Sequence, residues 1–349
     1  MTMEKLRKNL KKNLRNSVST KKRLYFMILS LVLIFMLNFL AFSPSTVVKQ
    51  ISMTKNISSA YLNNEINTIL SETTDAEVVR MLPYDFSAPK TKPDKNNFFT
   101  EDKKTCYKDS TIEVTCWKEV SKINKAEVCF ADIKIKHPSQ FRRQWANGDY
   151  NSNKTQYPTN IFRLSNGVVG MSSDFYKFRR FGVIVQYGKV ICDRRSTNSR
   201  QKYLDVLTID YNGDFHIWND SELSEHIRQH GADDIMLSFT FGPALIRDGV
   251  PYDPAVEKDY PLGEPYMRSG RAAIGQIGKL HYLLCTFGVP GLQRYRMAEV
   301  MAEKNCTTAY NLDGGQSGTM IIKNRVYNKI AYKGSERPMS DVLYFCSAE

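Results

Sequence analysis

The sequence predicts an α+β domain whose largely antiparallel mixed sheet is built from hairpins with inserted helices, preceded by one transmembrane helix. Three observations predict it. Residues 24–42, "LYFMILSLVLIFMLNFLAF", form an uncharged run of 19 residues. In "LDVLTIDYNGDFHIW", apolar residues alternate up to Asn212-Gly213 and alternate away again, which is the pattern of a hairpin with one buried face. Between such hairpins lie segments with helical spacing and helical stop signals, notably 221–230 before Gly231 and 293–305.

Taken in chain order, residues 1–23 hold nine Lys/Arg against Glu4, a local +8. The remainder of the +13 chain therefore carries only +5 over 326 residues, and it has no basic block suited to a phosphate backbone. Nucleic acid is excluded as a partner on this ground. At about 1.5 Å per residue the 24–42 run nearly crosses a hydrocarbon layer of roughly 30 Å. Its basic N-terminal flank assigns 1–23 to the cytoplasm and the rest to the outside of a single-pass membrane protein. A cleaved signal peptide is the alternative, although the basic region and the apolar run are both long for one.

Residues 43–100 read as a stalk: a weakly periodic stretch leads into "PYDFSAPKTKPDKNNFF", an extended linker with prolines at 83, 89 and 93. The globular part is expected over 101–349. Hairpins are predicted around Tyr187-Gly188-Lys189, around Asn212-Gly213 and within "RAAIGQIGKLHYLLCTF", with a closing strand at "DVLYFC". Of seven cysteines, Cys106 and Cys116 could close a small loop, whereas Cys129, Cys285 and Cys346 sit in strand-like runs as buried hydrophobes. No CxxC and no His/Cys cluster occurs, so no metal is assigned and any cofactor is left unknown.

The most unusual stretch is "YNLDGGQSGTMII", 310–322. Gly314, Gly315 and Gly318 stand beside Asp313 and Ser317 between two strand-like runs. A P-loop would need GxxxxGK[ST] opening a helix, a nucleophile elbow GxSxG, and a calcium loop alternating acids. None fits. A strand–turn–strand remains, whose amides could form an anion-binding concavity with Asp313 beside it. The alternative is a tight hairpin in which Asp313 caps its own turn.

"AYNLDGGQSGTMIIKNRVYNK" followed by "SERPMSDVLYF" resembles the phosphodiester glycosidase family. "WANGDYN", "SFTFGPALIRDGVP", "RAAIGQI" and "YRMAEVMAEKNCTTAYNLDGG" are similar to family segments in the same order, so the resemblance covers about 125–346. Asp149 stands where the family usually has a second glycine, and "TFGVPG" (286–291) replaces its usual Asp-Gly-Arg.

The resemblance implies a sugar joined to phosphate as substrate, cleaved at the glycosidic C–O bond. Such chemistry wants carboxylates at the anomeric centre and cationic or N–H-rich surroundings for the departing phosphate. The candidate catalytic residues are Asp313, Glu299 and Asp149. Helical periodicity alone puts Glu299 on a solvated face with Glu303; the resemblance alone makes it a candidate. Arg271 and Arg337 are candidate phosphate ligands, because a guanidinium meets phosphate oxygens in a two-pronged way. Asn147, Gly314, Gly315 and Ser317 complete the substrate-binding set. The function expected is a membrane-anchored extracytoplasmic glycosidase whose partner is a phosphorylated glycan or surface polysaccharide. A non-catalytic glycan-binding or assembly protein of exopolysaccharide biosynthesis is the alternative, which the missing Asp-Gly-Arg favours. A metal-assisted phosphodiesterase would instead release sugar phosphate.

Overall fold

A computed structural model of the chain describes residues 92–349, apart from 123–124, 153, 175, 177–181, 195–203, 254–268 and 332–333. These belong to the second of two compact units, Glu77–Glu349. The basic tail, the predicted anchor and most of the predicted stalk lie outside the described residues. No described helix is long and apolar enough to cross a membrane.

Among the described residues, nineteen strands form three sheets. The largest runs, edge to edge, through β1 (Phe98–Glu101), β2 (Lys104–Lys108), β3 (Ile112–Val120), β4 (Glu127–Ile135), β15 (His281–Leu292), β14 (Ser269–Gly278), β16 (Thr308–Leu312), β12 (Ala244–Arg247) and β13 (Val250–Pro251). A second sheet is β10 (Phe215–Asn219), β9 (Asp205–Asp210), β11 (Ile235–Thr240), β7 (Gly182–Gln186) and β8 (Lys189–Arg194). The third is β18 (Arg325–Val326), β17 (Met320–Ile322), β6 (Val169–Ser172), β19 (Asp341–Phe345) and β5 (Phe141–Trp145). Three α-helices are inserted among the described residues: α1 (Pro158–Ser165), α2 (Asp220–His230) and α3 (Arg294–Glu303). The class is the one the sequence predicts, with one correction. Every described pair of neighbouring strands is antiparallel, so the sheets are not mixed.

The hairpins form where they were expected, but their turns differ. Tyr187 (φ 54) and Gly188 (φ 75) make a two-residue turn between Gln186 and Lys189, with positive φ at both positions. At Asn212-Gly213 only Gly213 has positive φ, and four residues separate β9 from β10. Asp210 explains the wider loop: its Oδ1 accepts the amides of Asn212 (2.8 Å) and Asp214 (2.9 Å).

The three sheets share one core. Phe141 stacks on Phe345 at 4.5 Å and meets Tyr282 at 5.5 Å, while Tyr282 stacks on Phe215 at 5.3 Å. Each fully buried side chain of this kind contributes about 1.5–3 kcal/mol. Strand β14 is buried from Gly270 to Gln276 because Ala272 and Ile274 face this core while Ala273 faces Met297 and Met301 of α3. That double burial is why "RAAIGQI" reads as a continuous run instead of alternating.

All seven cysteines are free. Register sets Thr105 opposite Cys116 and Cys106 opposite Thr115, so the two thiols point to opposite faces of the sheet and the small disulfide loop does not form.

Candidate active site

Strand β16 delivers Asp313 to the end of the large sheet. Its neighbour Asn311 is buried, with Nδ2 donating to the Gly242 carbonyl at 2.7 Å. Register pairs Ala273 with Asn311 and ends at Ala272 with Leu312, and the next residue on each side is Arg271 and Asp313. Directly opposed residues of an antiparallel pair carry their side chains on one face, with Cβ atoms about 5 Å apart. A guanidinium and a carboxylate 42 positions apart in sequence therefore share one corner of the fold. Both are nearly enclosed, at 8% and 7% exposure. Arg271 Nε donates to the Leu292 carbonyl at 2.9 Å, which holds the side chain along the end of β15.

The glycines after Asp313 serve this juxtaposition. A Cβ on Gly314 would lie 2.5 Å from the Gly270 carbonyl oxygen and 2.9 Å from the Arg271 Cα. The turn backbone is thus pressed against β14, and Gly314 is bare because a strand needs the room. Gly314, Gly315 and Gln316 remain half-buried, and the short turn Gly315–Ser317 closes with Ser317 N–H donating to the Gly314 carbonyl at 3.0 Å. Ser317 is fully buried. Its Oγ accepts from Arg337 Nη1 at 3.4 Å, so Arg337 also reaches the turn.

The third sheet fixes the turn from below. Asp313 N–H donates to the Ser173 carbonyl at 3.3 Å. The Ser172 hydroxyl donates to the Ser317 carbonyl and accepts the Thr319 amide at 3.0 Å. Ser172, Ser173 and the buried Asp174 beyond them were missed in the sequence. Their signal was a polar triplet following the buried strand "VVGM". Arg294, also missed, is almost fully buried at the start of α3, two residues after the carbonyl that holds Arg271.

The other two carboxylates are held elsewhere. Glu299 pairs with Arg296 at 2.8 Å on the half-exposed side of α3, as helical periodicity alone predicted. Asp149 is exposed and accepts the Asn151 amide at 2.9 Å, capping its own turn. Neither bonds to the glycine turn, and of the three candidate carboxylates Asp313 alone stands in it. Asn147 (φ 55) is likewise exposed and donates to Ser152 Oγ at 3.1 Å. Its loop leans on the strand-like stretch near Arg337 through the bridge Gln156–Met339. The Glu of "SERP" is structural: Glu336 accepts the Thr159 amide (2.8 Å) and hydroxyl (2.7 Å) at the start of α1.

A family model described as phosphodiester glycosidase matches residues 165–346, just over half of the chain. The chain belongs to the phosphodiester glycosidase family. The zebrafish N-acetylglucosamine-1-phosphodiester alpha-N-acetylglucosaminidase catalytic domain is similar in structure, with a TM-score of 0.54 and 14% identity over 75% of this chain and 88% of that one. At that identity the likeness speaks for the fold alone. A hypothetical protein from Synechocystis matches at a TM-score of 0.44 and 12% identity, over 67% of this chain and 62% of its own. No curated protein matches in sequence. In this member of the family the departure "TFGVPG" falls beside the site, since Phe287 stands opposite Arg271.

Proposed function

We propose that the domain hydrolyses the bond between an anomeric carbon and a phosphate oxygen in a sugar-1-phosphodiester or related surface glycopolymer. The observation that carries this reading is that the buried Arg271 and Asp313 are the next residues beyond the last pair of the β14–β16 ladder, Ala272–Leu312. Asp313 would attack the anomeric carbon or activate water on it, where positive charge develops. Arg271, with Arg337 and Ser317, would hold the departing phosphate. The phosphate monoester released by C–O cleavage leaves readily as an anion, so a strong general acid is dispensable. This is consistent with a site holding one carboxylate amid several guanidinium groups.

The basic tail and apolar run at the N-terminus support a single-pass anchor with the enzyme outside the cytoplasm. Resistance of the domain to carbonate extraction and its cleavage by added protease on intact cells would test that placement.

The activity is tested by incubating the protein with a UDP-linked or chromogenic sugar phosphodiester. Release of free sugar by the wild type but not by Asp313→Asn supports the reading. Release of sugar phosphate would mean P–O cleavage and overturn it. The apolar "TFGVPG" beside Arg271 favours the second reading, a non-catalytic glycan-binding protein, for which tight binding without turnover is the expected result.

A further inference from the structure

Beneath the glycine turn lies a cluster of charge that the chemistry above does not use. Arg143 on β5, Asp341 on β19 and Asp174 just after β6 have side chains with no solvent exposure. Arg143 Nε is 2.8 Å from Asp341 Oδ2, and Nη2 is 3.6 Å from Asp174 Oδ2. The guanidinium carbon lies 4.1 Å from the Phe239 ring centre and 4.7 Å from that of Trp145. The carboxylates are further tied to backbone: Asp341 Oδ1 accepts the Asp174 amide at 3.1 Å, and Asp174 Oδ2 accepts the Thr240 amide at 3.0 Å. Burial pushes the Asp341 carboxyl up; Arg143 pulls it back, and Asp174 adds to the rise.

A buried triad of this kind is a poor source of stability. Apolar replacements of similar volume are often neutral or stabilising. What the triad does offer is fixed geometry, and its neighbours transmit it. Asp174 follows directly on Ser173, whose carbonyl takes the Asp313 amide, and on Ser172, whose hydroxyl ties Ser317 to Thr319. Three consecutive residues thus join the charges to both ends of the turn.

We propose that Arg143, Asp174 and Asp341 are positioning residues that hold the glycine turn, and with it Asp313 and Ser317, at a fixed distance from Arg271. The link to catalysis rests on the function proposed above; the positioning itself does not.

The test is Asp341→Asn, which keeps the shape and leaves one carboxylate against one guanidinium. Amide hydrogen exchange at Asp313 and Thr319 should speed up about tenfold or more, while the core amides of Ile274 and Leu284 keep their rates. With a sugar phosphodiester that the wild type cleaves, kcat should fall about tenfold or more with little change in KM. Wild-type exchange at Asp313 and Thr319 would overturn the proposal whatever the activity. An inactive wild type would instead sink the functional reading and leave the exchange result to stand. A second variant, Arg143→Met with Asp174→Asn and Asp341→Asn, removes all three charges. If it folds with wild-type melting and keeps wild-type exchange and kcat, the cluster does not position the turn. Failure of both variants to fold would also count against the proposal, assigning the triad to stability alone.

Discussion

The tight approach of Gly314 to β14 makes Gly314→Ala the sharpest test of how the site is built. The backbone of Gly314 (φ −108, ψ −150) is extended, so alanine meets no conformational penalty there. The cost is steric. The new methyl would sit 2.5 Å from the Gly270 oxygen, where ordinary contact begins at 3.4 Å, and both opposing atoms are backbone. No side chain can swing away, so one strand end must retreat by roughly 1 Å, at an overpacking cost of about 1–3 kcal/mol. For a domain of this size that lowers the melting temperature by about 4–8 °C for a mid-range cost. The same retreat separates Arg271 from Asp313, and a displacement of that order costs about a hundredfold in rate. Gly318→Ala is the matched control, because its φ is −65 and its nearest neighbours lie at 3.6 Å. Differential scanning fluorimetry and kcat/KM on a sugar phosphodiester should show a large drop for Gly314→Ala and little for Gly318→Ala. Equal behaviour of the two variants would refute the argument that the turn is shaped by contact with β14.

Arg271→Lys keeps the charge but loses the planar fork, and should lower kcat/KM by about 10²–10³-fold, read in steady-state kinetics. Glu299→Ala removes only a half-exposed pair with Arg296, so activity should be unchanged and stability should move by less than about 1 kcal/mol in urea unfolding. The raised Asp341 carboxyl has a signed consequence for stability. Its folded pKa, about 6, exceeds the ordinary 3.8, so the stability it contributes is fully present below 3.8 and is lost as pH rises through about 6. The groups facing it are Arg143 from β5, Asp174 from the end of β6 and Tyr176 beyond it. Melting curves from pH 4 to 7 should therefore show Asp341→Asn gaining on the wild type as pH rises, and a constant difference across that range would contradict the assignment.

Much of the architecture was legible because its signals are local. The turns at Tyr187-Gly188 and Asn212-Gly213 announce hairpins, and α2 is flagged by Asn219 and Glu222, which form a reciprocal cap, with Gly231 at its end. Helix α1 was missed for a physical reason. Tyr157 supplies no side-chain cap, and the carboxylate that does the capping comes from Glu336, 177 positions after Thr159. The glycine turn and Asp313 stood out in the sequence, yet their meaning depended on pairing between β14 and β16, which no local pattern encodes. Glu299 shows the reverse case, where helical periodicity read its environment correctly. Arg143 and Asp341 were invisible as a pair because 198 positions separate them and no local pattern links their strands.

The cap that Glu336 places on α1 has a bearing on engineering this fold. The next residue along is Arg337, whose guanidinium touches Ser317. Sliding or replacing α1 would therefore tug on that arginine through a single peptide unit. A graft of the 334–340 loop from a homologue should travel together with its own helix, or the arginine will arrive out of place.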